Sequence, residues 1–64
     1  MTLNTQPNIA DPDGFYAALV ALHDGLDAAQ SAALNARLVL ILANHIGDRA
    51  VLDAALDVAR DAGQ

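Results

Sequence analysis

Apolar residues along this chain recur with a helical period, and no stretch alternates as a strand would. After ten residues without period, Phe15, Leu19, Leu22 and Leu26 follow at spacings of four, three and four, which sets them on one helical stripe. Asp11-Pro12-Asp13 opens that segment with a capping side chain, a proline suited to the first helical position and an acid at the positive dipole end. A helix over 12–24 follows, closed by Gly25 in the left-handed conformation and with the Phe15 stripe toward the core. Tyr16, Val20 and His23 form a line to one side of that stripe.

A second helix is predicted over 28–46. Asp27 is its cap, Gln30 completes a capping box, and Gly47 stops it. At 1.5 Å per residue it is about 28 Å long, the longest element. Leu34, Leu38, Ile41 and His45 share one face, with Leu42 at its edge, and Ala32, Ala36, Val39 and Ala43 share the opposite one. Small side chains on the second face suit close helix approach, so burial from two sides is expected. Asp48 then caps a third helix over 49–62. Val51, Leu52, Ala55, Leu56, Val58 and Ala59 fall in its apolar arc, and Arg49, Asp53, Asp57, Arg60 and Asp61 in its polar one. The fold class is all-α: a three-helix bundle about a long central helix, completed by dimerisation or by a partner. Residues 1–10 are an extended N-terminal tail, with Leu3 and Ile9 as possible anchors, and 11–64 a single helical domain.

Composition sharpens the need for a partner. The chain has 64 residues, of which 55% are hydrophobic and 17% charged, against about 45–50% and 25% in ordinary globular domains. A chain this short buries only about 60% of its unfolded surface. So many apolar side chains cannot all be hidden within one copy, although alanine makes up much of the count. With no cysteine there is no disulfide framework and no thiolate metal site. Eight aspartates face three arginines, a net charge of −5, which disfavours nucleic acid and anionic membrane surfaces as partners. The N-terminus lacks a signal-peptide pattern, and the longest apolar run, Leu38 to Ala43, is too short to span a bilayer. A cytoplasmic protein is expected.

Candidate chemistry is sparse. There is no phosphate-binding glycine loop, no HExxH and no Ser-His-Asp signature, so no catalytic residue is assigned and no cofactor is expected. His23 and His45 fall near opposite ends of a helical hairpin, which argues against a metal site within one chain. His45, in the last turn of the central helix, reads first as a residue complementing the helix dipole. Arg37 and Asn44 project together to one side of the Leu34/His45 face, and the plain partner for Arg37 is an aspartate of the same bundle. The sharper reading joins Asn35, Arg37, Asn44 and His45, with Tyr16 and His23, as candidate interface or ligand-binding residues, since arginine is enriched among residues that carry binding energy.

The block ARLVLILANHIGD, with DPDGFYAAL and GLDAAQSAAL before it, resembles a small family of short bacterial proteins classed as a domain of unknown function. The likeness runs from Pro7 to Ala62. It implies an independently folding unit of this length, encoded near flavin-dependent oxidoreductases of aromatic-compound breakdown, and attaches no catalytic residue. The function expected from residues and resemblance together is a non-enzymatic helical interaction module, a homo-oligomer or an accessory subunit of a larger, flavin-dependent enzyme. The alternative is a small-molecule or metal-binding protein using His45, Arg37 and Asn44 at a dimer interface.

Overall fold

Three aspartates start three helices. In the computed structural model, which describes residues 2–62, these are α1 (Pro12–Leu22), α2 (Ala28–Ile46) and α3 (Arg49–Ala62). The chain is all-α, as its periodicity predicts. The first residue of the expected tail and the last two of the helical domain lie outside the described residues.

Each helix start follows from side-chain chemistry. The Asp27 carboxylate accepts the Gln30 N–H at 2.8 Å while the Gln30 side chain accepts the Asp27 N–H at 3.0 Å, the reciprocal box expected for α2. Asp48 Oδ1 accepts from Ala50 and Val51 N–H at 2.9 and 3.2 Å. Asp11 accepts the Gly14 N–H at 3.2 Å from a left-handed backbone, φ 49° and ψ 64°. Aspartate tolerates that region better than most residues. A Cβ at position 14 would overlap the Asp11 carboxylate, which accounts for a glycine one turn into a helix.

The helix ends differ. α2 stops at Gly47, whose φ of 75° is left-handed and whose N–H donates to the Ala43 carbonyl at 2.9 Å. Two residues, Gly47 and Asp48, then turn the chain into α3. Helix α1 stops at Leu22 instead of continuing to residue 24. The His23 and Asp24 N–H groups bond three residues back, to Val20 and Ala21 at 3.1 Å, so the last turn tightens before Gly25 (φ 79°) redirects the chain.

Packing departs furthest from expectation. Among the described residues α2 and α3 are the pair of helices that approach each other closely, and Val51, beside their corner, is the one buried hydrophobic residue, at 8% exposure. Ala43, Asp48, Leu52, Ala54 and Ala55 around it are half-buried, so the small-residue face of α2 does meet a neighbouring helix at Ala43. The α1 stripe does not face a core within the chain: Leu19 is half-buried, but Phe15 and Leu22 are 47% and 53% exposed. The physical reason is that periodicity identifies an apolar stripe without supplying a surface for it, and α1 stands away from α3. Leu3 of the tail is half-covered while Ile9 is exposed. The Cα radius of gyration is 13.4 Å, against about 11 Å for a compact chain of this length.

Gly47→Ala is expected to cost about 1–2 kcal/mol through its left-handed backbone, read as a lower melting temperature with the helical signal unchanged. Gly14→Ala should destabilise through loss of the Asp11 cap. In an Asp11→Ala background it should instead stabilise by about 0.5–1 kcal/mol, the helix-propensity gain. Equal effects in both backgrounds would show that Asp11 does not cap α1.

Candidate functional site

From the Gly47–Asp48 corner α2 and α3 diverge, and the space between them is an open groove of about 530 Å³. Val39, Leu42, Ala43 and Ile46 line it from α2, and Leu52, Ala55, Leu56 and Ala59 from α3. These positions recur at three and four residues on each helix, so each wall is one helical face. Its polar rim is Arg49 and Asp53, joined Nε to Oδ1 at 2.8 Å. That hydrogen bond, with the Asp53 charge, holds the Arg49 guanidinium above its ordinary pKa. Val39, Leu42, Ile46 and Leu56 are 60%, 49%, 44% and 65% exposed, so the walls are uncovered apolar surface.

The polar arc of α3 falls where its period predicts, and its arginines offset the aspartates spaced four apart. Arg60 lies 3.3 Å from Asp57 and 3.6 Å from Asp61, and Arg49 pairs with Asp53. All these side chains are exposed, so the pairs add little stability.

The candidate polar residues are dispersed. At 100° per residue, Arg37 and Asn44 project together but about 150–170° from the groove face of α2, and His45 about 110° from it. Asn35 shares the groove row one turn before Val39. None of the four lines the groove. Arg37 is exposed, and among the described residues it has no carboxylate partner, so the intrachain aspartate expected for it is not found. The reason is placement, since the α3 aspartates lie on that helix's outer arc. His45 occupies the last turn of α2 and is exposed. Tyr16 is 68% exposed on α1.

His23 is the candidate with a partner. Its Nδ1 lies 3.0 Å from the Ser31 hydroxyl in a half-buried contact, with the imidazole tautomer deciding which group donates. This bond ties the end of α1 to the first turn of α2. Ser31 was not among the residues singled out from the sequence. Its signal was a hydroxyl in the first turn of α2, placed to meet the end of α1 across a short turn. Among the described residues no three His, Cys, Asp or Glu side chains converge as a metal site would require, and no helix is long and apolar enough to cross a membrane.

Three helices, two of which line an open apolar groove, define a small all-α protein. The family model described as "Protein of unknown function (DUF2783)" matches residues 3–61, and the chain belongs to that family. No curated protein and no solved structure matches it.

Ser31→Ala is expected to lower stability by about 1 kcal/mol, the net worth of one hydrogen bond, in a denaturant melt. Arg37→Ala, Asn44→Ala and His45→Ala should each stay within about 0.5 kcal/mol of wild type under conditions that keep the chain monomeric. A larger loss at any of the three would assign that side chain a structural role within the chain.

Proposed function

We propose that this protein is a non-enzymatic helical interaction module, acting as a homo-oligomer or as an accessory subunit of a larger enzyme. The observation that carries the reading is its uncovered apolar surface. Thirteen large apolar side chains among the described residues, from Ile9 to Val58, are more than a third exposed, while Val51 is the buried one. The accessible surface is 5368 Å², where a compact 6.6 kDa chain exposes about 3,900 Å². The difference, about 1,500 Å², exceeds the roughly 800 Å² per partner of a standard protein interface.

The polar inventory supports the same conclusion. A water-excluding active site needs an activated nucleophile or an acid–base pair within hydrogen-bond reach, and the groove offers one exposed ion pair on its rim. The resemblance to proteins encoded near flavin-dependent oxidoreductases makes such an enzyme the first candidate for an accessory partnership.

Sedimentation equilibrium at micromolar concentration is expected to give a mass above one chain, or else affinity capture from the native cell should recover one enzyme in fixed ratio. A monomer at every concentration that retains no protein would overturn the proposal.

A further inference from the structure

Two apolar surfaces of this chain lack a partner, and they are complementary in shape. One is a ridge, the α1 stripe of Phe15, Leu19 and Leu22, with Phe15 and Leu22 exposed at 47% and 53%, and Leu26 follows in the turn beyond the helix. The other is a trough, the groove between α2 and α3. We infer, on the basis of the interaction-module reading, that the groove is filled by helix α1 of a second copy, each copy completing the three-helix bundle of the other.

Reach argues for a second copy over the chain's own α1. The His23–Ser31 bond fixes the end of α1 at the first turn of α2. Phe15 precedes His23 by eight residues, so even if α1 lay flat along α2 Phe15 would lie about 12 Å from Ser31 at 1.5 Å per residue. The α2 wall of the groove, Val39 to Ile46, runs from about 12 to 22 Å beyond Ser31 on the same scale. The chain's own Phe15 reaches the near edge and no farther, and Leu19 and Leu22 fall short of it, whereas a copy related by a two-fold axis has no such tether.

The quantities agree with a reciprocal exchange. The groove of about 530 Å³ has room for a phenylalanine and two leucine side chains. Ridge and trough belong to one chain, so a two-fold pair satisfies both twice and leaves no open end on which a chain of copies would grow. The excess of about 1,500 Å² per copy is larger than the roughly 800 Å² that each partner of a standard interface buries, so burying about half of it would suffice for a stable pair. The one acid lining the groove, Asp53, sits on its rim paired with Arg49, so no unpaired carboxylate faces the contact.

Because the chain contains no cysteine, single-cysteine variants of the full chain report neighbours directly. Phe15→Cys and Leu56→Cys chains, mixed in equal amounts and oxidised, should yield mainly the mixed disulfide dimer. Phe15→Cys mixed with Leu40→Cys, which points away from the groove, should not. Separately, Phe15→Asp should weaken dimerisation by about 100-fold or more, from two desolvated phenyl groups per dimer, while Leu40→Asp leaves it within about threefold. Preferential Leu56–Leu56 linkage would mean that groove meets groove. A wild-type dimer with no Phe15–Leu56 linkage would likewise overturn the α1 assignment, and both results leave the interaction module standing. A wild-type monomer that retains no protein overturns both.

Discussion

The two-residue corner at Gly47 and Asp48 is the constraint from which the arrangement follows. Gly47 takes a left-handed φ that lets α2 end while its N–H still bonds Ala43, and Asp48 caps α3 in the next residue. So short a connection forces α2 and α3 to meet beside the turn, and there Val51 is buried against the small side chain of Ala43 and its neighbours. Away from the corner the axes separate. The groove runs from Ile46 and Arg49 beside the corner out to Val39 and Ala59. The exposure of Leu42, Ile46 and Leu56 is thus a consequence of hairpin geometry on helices that no third helix bridges.

How much of this was legible in the sequence depends on whether the cause is local. Caps are local: Asp27 and Gln30, three residues apart, determine each other's hydrogen bonds, and Gly47 adopts the positive φ that ends α2. The starts and stops of α2 and α3 could therefore be read from short windows. The end of α1 moved by two residues because the bonds that tighten its last turn compete with α-helical bonds of nearly equal energy. Coverage is not local. The Phe15 stripe has a well-formed period, but period states which side of a helix is apolar and says nothing of what lies against it. The aspartate expected for Arg37 failed for the same reason, since the carboxylates that could have served lie on the outer arc of α3. Ser31 was invisible because a hydroxyl in a first turn has several ordinary uses, and its bond to His23 depends on the angle at which α1 enters.

The central helix changes meaning with position. Ser31, Leu34 and Leu38, up to its middle, are half-buried, whereas Val39, Leu40, Ile41 and Leu42 are exposed in succession at 60%, 70%, 65% and 49%. Four consecutive residues point in four directions round a helix, so no single neighbouring helix can cover them. α3 covers part of the Ala43 side, and a helix in the groove would cover Val39 and Leu42. Leu40 and Ile41 then remain toward the side where Arg37 and Asn44 project, a second and more polar strip on which an additional protein could act without competing for the groove.

Acidity in this chain has a structural origin that bears on its function. Asp11, Asp27 and Asp48 each accept backbone N–H groups at a helix start, and Asp13 adds a negative charge in the first turn of α1, where the dipole favours it. Half of the eight aspartates are thereby accounted for by the requirement to begin three helices in 64 residues. Asp57 and Asp61 lie on the outer arc of α3 beside Arg60, and Asp53 sits on the groove rim paired with Arg49. A cation site would need carboxylates that converge, and these are spread among helix ends and one solvated face. What converges in this molecule is apolar surface, and the charge is arranged to leave it clear.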